Sequence, residues 1–424
     1  MKRFWLTLLG IVVIALALRV TYVLTVTRHD TDTYDATYYA LQARTLVDGN
    51  GFDDPFALRR DPNLHTPAAD HPPLTVLAIA PAAFIGDADT RVLAMRLEMV
   101  ALGAGAVVVI ALLGREVGGD NVGLLAGAIA ALDPNLWMND GLVMSETPAA
   151  LLTAAVLLVA WRVAQRGPSW GRVIALGALT GLAALARAEL ALLAPLVVLP
   201  AIWRGSGADR GWLLRATGAA ALATLVVVGP WVAYNARRFE QPVLISTGDG
   251  IALAAGSCDR AYYGEFIGWA DVFGCTDPGT DLEQSVWNGR NRSRALDYID
   301  SHLGRLPLVA VARLGRAWDV YAPNQTFLFN SFEGRPQLAS WLGAVTGWVL
   351  SLLAVAGGVV VRRRRQLLTI LVAPIVIAVV TVALLSAGLP RYRAPAEPSI
   401  IVLASLGAVV LYERRRRRAS GTPG

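Results

Sequence analysis

The chain has 424 residues, 55% of them hydrophobic, and a mean hydropathy of +0.49. These values exclude a soluble enzyme held by one anchor and indicate an all-α polytopic membrane protein. The net charge of +6 comes almost wholly from arginine, Lys2 being the only lysine, and no basic stripe interleaved with aromatics suggests a nucleic-acid partner.

Residues Phe4 to Val26 form an apolar run broken only by Arg19. It is long enough to cross a bilayer and too long for a typical cleaved leader. The stretch Asp30 to Tyr39 follows at once, with three aspartates and three tyrosines at the membrane surface. The pattern from Tyr34 to Val47 predicts an amphipathic helix with Asp35, Tyr39, Gln42 and Leu46 on one face. A carboxylate, a phenol and an amide together would suit a sugar. Asp32 and Asp35 also have the spacing of a capping box, with Asp in place of Glu.

His71-Pro72-Pro73 opens an apolar segment, Leu74 to Ile85, that is too short to span and is expected to be a juxtamembrane helix. His29, His65 and His71 share this loop with several aspartates. A divalent ion could be held there, although the spacing fits no specific metal motif. Further spans are expected at about Val92–Gly114, Val122–Asp133, Leu142–Trp161, Val173–Ala186, Leu190–Trp203, Trp212–Tyr234, Leu338–Val361, Leu367–Ser386 and Ala394–Tyr412, which makes about ten crossings. Arginines cluster at 162–172, 204–215, 362–365 and 414–418. With Lys2 and Arg3 they fall on one side, which places both termini in the cytoplasm and the chain in the plasma membrane.

The opposite side receives the first loop, 28–71, and a polar stretch, 235–336. Three units follow: a catalytic membrane module over 1–234, an extracytoplasmic, small mixed subdomain over 235–336, and terminal spans with a basic tail over 337–424. Cys258 and Cys275 lie in the middle unit and are expected to pair in an oxidising compartment. Glu146, after Ser145 at the outer end of its span, is either a helix-start acid or a second acid facing the interface of Asp35. Asp133 and Asp140 read as solvated loop residues. Arg187, Arg391 and Arg393 sit at outer span ends, at a depth that suits a phosphate or simple snorkelling. Ser246 to Gly250 is glycine-rich but lacks a P-loop lysine, which argues against a nucleotide.

In order along the chain stand D-x-x-Y-Y-x-x-x-A-R-x-L (Asp35 to Leu46), H-P-P-L (His71 to Leu74), D-P (Asp133-Pro134), S-E (Ser145-Glu146), L-x-R (Leu185 to Arg187), P-W-x-x-x-N (Pro230 to Asn235), P-V-x-x-S-T (Pro242 to Thr247) and R-Y-R-x-P (Arg391 to Pro395). This order resembles the GT-C glycosyltransferases of the protein O-mannosyltransferase and lipid A aminoarabinose transferase group. The resemblance implies a GT-C-like bundle and a polyprenyl-phosphate-linked sugar donor. It also implies transfer to an envelope glycan, lipid or protein hydroxyl on the extracytoplasmic face. By the same resemblance Asp35 stands at the family's catalytic acid and Glu146 at a second acid. His71 stands where relatives carry another basic residue before the proline pair. His71, Tyr39, Arg187, Arg391 and Arg393 are the expected donor contacts, the arginines from their charge and their depth at outer span ends. A transporter or flippase of lipid-linked sugars is the competing class.

Overall fold

The structure, a computed structural model, describes residues 2–28, 34–207, 209–279, 282–364, 366–385 and 387–419. His29 and Asp32, named above for a metal site and a helix cap, lie outside the described residues.

Among the described residues the chain is helical, with one isolated bridge between Asp53 and Pro67 in place of any sheet. Eight helices are long and apolar enough to cross a membrane: Lys2–Thr27, Ala88–Gly118, Glu146–Arg166, Ala188–Ser206, Arg210–Asn235, Gln337–Arg363, Leu368–Leu385 and Pro390–Ala419. Two shorter apolar helices, Asp120–Leu132 and Trp170–Ala186, occupy the other two positions of the expected ten. Leu74–Ala83 has ten residues, about 15 Å of helix, which is half a bilayer core. It starts directly after Pro73, where a missing N–H costs nothing, and it packs through Val76 and Ile79 against Tyr39, Met95 and Met99.

Close helix approach is set by small residues, as expected where lipid gives apolar side chains no reason to prefer each other. A Cβ on Gly177 would strike the carbonyl of Ala220, and one on Gly357 would strike that of Leu403. The second contact seats Gln337–Arg363 against the last helix. That last helix is buried all round from Glu397 to Gly407, so it is the central post of the bundle. Its first turn is thereby delivered to the interior end of the molecule.

The two ends of the bundle differ in charge. Arg162 and Arg166 both bind Glu116, at 2.9 and 2.5 Å. Glu146 begins the same helix, about 30 Å away by the rise of 21 residues. At Glu146's end lie the first-loop helices and the segment 235–336. That segment is not mixed: among its described residues it is helical and irregular, with helices at Gly248–Ala255, Gln284–Ser301, Leu306–Ala317 and Pro323–Phe332. Its helices meet through polar groups, such as Asn288 Oδ1 accepting from the Gly250 N–H at 2.7 Å. The buried face of Gln284–Ser301 is accordingly largely polar (Ser285, Asn288 and Asn291), whereas Leu306–Ala317 packs Val309 and Ala312 against Tyr262 and Ile267. Cys258 and Cys275 form a disulfide with Cα atoms 5.8 Å apart.

Candidate active site

Asp35 lies in the first turn of the helix Tyr34–Thr45. Its carboxylate accepts from Arg391 Nη1 at 2.5 Å and stands 3.8 Å from His71 Nε2. His71 is also 3.9 Å from Asp70 and stacks on the Tyr39 ring at 4.7 Å and 20°. Helical spacing explains the set: Tyr39 is one turn beyond Asp35 and holds the imidazole at the level of the carboxylate. Gln42, one turn further, is fully buried, and its amide nitrogen donates to the Gly51 carbonyl at 3.3 Å. The predicted face therefore splits. Its Asp and Tyr reach the site, while its Gln shapes the loop.

A second acid stands beside the first group. Glu146 is buried between Arg187 Nη1 at 3.5 Å and Arg335 Nη2 at 3.7 Å. Ser145 makes no side-chain cap and has helical backbone angles. It accepts from Arg187 at 3.4 Å. Arg335 also binds Glu333 at 2.5 Å, and Glu333 lies 3.7 Å from Arg391 Nε. Tyr392 packs under both Arg187 and Arg391, with guanidinium carbons 5.0 and 5.6 Å from its ring. Three arginines thus converge with Asp35, Glu146 and Glu333, and one tyrosine face orders two of them.

Burial pushes the Asp35 carboxyl up, but Arg391, His71 and Arg335 together outweigh it and bring it down to about 2. Burial also raises Asp70, only partly offset by His71, and holds the Tyr39 phenol well above its ordinary value despite a hydrogen bond with Ser145. At neutral pH the site therefore carries an ionised Asp35 beside a protonated Tyr39.

Arg391 and Arg393 part company, although only Tyr392 separates them. They sit in a 3-10 turn, Pro390–Ala396, which sends alternate side chains to different sides. Arg393 points into the bundle. There it donates to Glu397 at 2.7 Å, Asp319 at 3.1 Å, Asn135 at 3.0 Å and the Ala317 carbonyl at 3.0 Å. Burial pushes the Asp319 carboxyl up to about 6 against the pull of Arg393. With its donors taken in this way, Arg393 locks the outer segment to the last helix.

Asp133 and Asp140 are 1% and 2% exposed, contrary to the solvated-loop expectation. Asp133 caps the short helix Pro134–Asp140 by accepting from Asn135 N. Asp140 answers the one charge within the apolar run Phe4–Val26: Arg19 Nε donates to it at 2.5 Å, and the guanidinium also donates to the carbonyls of Ala131 and Ala130. Thr147 Oγ1 supplies a further donor to Asp140 at 2.7 Å. Asp140→Ala is expected to lower stability by about 3–5 kcal/mol, because it leaves a buried guanidinium uncompensated. The double variant Arg19→Leu/Asp140→Leu should recover most of that loss. Thermal unfolding in detergent checks both.

His65 is exposed and pairs with Asp53 at 2.9 Å, away from His71's partners. Among the described residues no three His, Cys, Asp or Glu side chains converge as a metal set. Arg335 and Glu333 were not foreseen. Their only signal was the charged turn Glu333-Gly-Arg335-Pro336 directly before a span.

Residues 70–234 match the model of the dolichyl-phosphate-mannose-protein mannosyltransferase family. The whole chain superimposes on the oligosaccharyltransferase AglB from Archaeoglobus fulgidus, in complex with an inhibitory peptide and a dolichol-phosphate. The TM-score is 0.59 at 14% identity, over 100% of this chain and 53% of that one. The chain has the GT-C fold. A second Archaeoglobus fulgidus oligosaccharyltransferase structure, tethered with an acceptor peptide, gives 0.58 at 15% identity over 97% of this chain and 50% of that one. ArnT from Cupriavidus metallidurans, bound to undecaprenyl phosphate, gives 0.46 at 16% identity, over 96% and 79%. The chain spans about half the length of the oligosaccharyltransferases it matches. No curated protein matches it in sequence. The stretch matched by the mannosyltransferase family model takes in Asp70, His71, Glu146 and Arg187. Asp35, Glu333, Arg335 and Arg391 fall outside it.

Proposed function

We propose that this protein is a membrane glycosyltransferase. It moves a sugar from a polyprenyl-phosphate-linked donor to an envelope glycan, lipid or protein hydroxyl on the extracytoplasmic side, with both termini in the cytoplasm. The observation that carries the reading is the ionised Asp35 held against Arg391 at 2.5 Å, with Arg187 and Arg335 beside it on Glu146. Transfer from a lipid phosphate needs a base for the incoming hydroxyl and cations for the leaving phosphate. This cluster offers both at one end of the bundle. The similarity of residues 70–234 to the mannosyltransferase model agrees with the reading, as does the fold shared with an AglB structure containing dolichol-phosphate.

The ion pair suggests how the site is armed. Asp35 has Arg391 as its main counter-charge. A donor phosphate that takes Arg391 leaves Asp35 buried without it, and burial raises the proton affinity of a carboxylate. The acceptor oxygen then attacks the anomeric carbon while the bond to the phosphate oxygen breaks. The hydroxyl proton passes to Asp35, and the phosphate leaves with the electron pair against the arginines. A single displacement of this kind inverts the anomeric centre. Glu146 orients Arg187 and Arg335, and His71 assists at the phosphate. Arg393, held by its own acids, serves the fold.

The test is transfer of labelled sugar by the purified full chain in nanodiscs, given polyprenyl-phosphate sugars and envelope extract. Label joined covalently to an acceptor, with inverted configuration, is expected. Label that only crosses the bilayer would instead establish the flippase reading.

A further inference from the structure

The outer segment holds a second pocket, built from residues the catalytic cluster does not use. Phe266, Trp269 and Phe329 wall a cavity of about 170 Å³, with Arg260 and Asp271 among its lining. The Trp269 and Phe329 rings lie 4.7 Å apart at 33°, and Phe266 lies 6.0 Å from Phe329. All three rings are only half-buried. Arg260 donates to Asp271 at 2.8 Å and lies 4.9 Å over Phe266. The cavities beside Asp140 and Arg393 are far smaller, about 10 and 20 Å³.

The pocket is braced. The loop closed by Cys258 and Cys275 contains Arg260, Phe266, Trp269 and Asp271. Two buried arginines from Leu306–Ala317 hold the backbone of that region. Arg316 donates to the Ile267 carbonyl at 2.7 Å and the Glu265 carbonyl at 3.0 Å, and Arg313 to that of Gly256 at 2.5 Å. The pocket is also tied to the catalytic cluster at two points. The Gly388 N–H donates to the Gly268 carbonyl at 2.8 Å, three residues before Arg391. Phe329 is on the helix that leads into Glu333.

Aromatic walls with one carboxylate and one guanidinium at the edge match an amphipathic ligand of single-ring size. A sugar ring is such a ligand: its C–H faces pack on aromatics and its hydroxyls bond to charged groups. An acyl chain has no use for the ion pair. We infer that this pocket binds one sugar residue of a glycan acceptor, next to the catalytic cluster. The inference rests on the glycosyltransferase reading for its role, though not for the binding itself.

The test is saturation-transfer NMR of the full chain in nanodiscs with a panel of methyl hexosides and pentosides. At least one should bind saturably, and Trp269→Ala should weaken it about tenfold, a loss in line with one stacked ring. Asp271→Asn and Phe329→Leu should weaken it too, so the outcome does not hang on one variant's folding. Phe273→Ala, at a 93% exposed position nearby, should leave binding unchanged. Asp35→Asn should bind the glycoside as the parent does, so a failure of the catalytic reading would not touch this result. In the transfer assay Trp269→Ala should raise the acceptor KM with kcat kept. If no glycoside binds, if all three pocket variants bind normally, or if only an apolar peptide or lipid competes for the site, the inference is wrong.

Discussion

Asp35→Asn is expected to cut sugar transfer by about 10²–10⁴-fold, the range for a general base, while the protein still inserts and folds. The amide is nearly isosteric and can still accept from Arg391, so the local packing survives. It has no affinity for the acceptor's proton, so the chemical step fails. The same change also removes the negative charge that competes with a donor phosphate for Arg391. Donor KM should therefore stay level or fall while kcat collapses. That split separates loss of a base from loss of a binding residue. Initial rates at several donor concentrations measure it. Turnover near that of the parent would take the role away from Asp35.

Arg391→Ala is expected to give the second-largest effect, a loss of about 10²–10³ in kcat/KM for the donor, comparable with removing one charge-stabilising donor. Arg391→Lys should rescue part of it, because a point charge remains but the planar fork does not. The pH profile carries a second signature. In the parent Asp35 is held at about 2, so it stays ionised across any practical assay range. Removing Arg391 takes away the chief pull downward and leaves burial, which pushes the carboxyl up. The acid limb of kcat/KM, which reports the free enzyme, should move to higher pH in the variant. A variant with the parent's acid limb and an unchanged donor KM would show that Arg391 neither holds Asp35 nor meets the donor.

Much of this arrangement was open to one-dimensional reading, for identifiable reasons. Span length is set by bilayer thickness, so apolar runs disclose an all-helical membrane chain without any tertiary knowledge. Segment 74–85 was too short to cross for the same reason, and its helix has ten residues. Local period placed Asp35 and Tyr39 on one face, and both meet His71. The pairing of Cys258 with Cys275 was expected from their place in a segment assigned to an oxidising compartment, and the two do form a disulfide.

What sequence could not decide was which charges share a space. Arg391 and Arg393 look equivalent in R-Y-R, yet a 3-10 turn sends one to Asp35 and the other to Asp319 and Glu397. Asp133 and Asp140 look like loop acids. Only packing shows that Asp140 neutralises Arg19, 121 residues away. Arg335 reaches Glu146 across 189 residues, and no local pattern marks such a meeting. Helix lengths and faces are set by interactions within a few residues and can be read along the chain. The partners of buried charges are set by long-range packing, where the cost of an unpaired ion selects its mate wherever it lies in sequence.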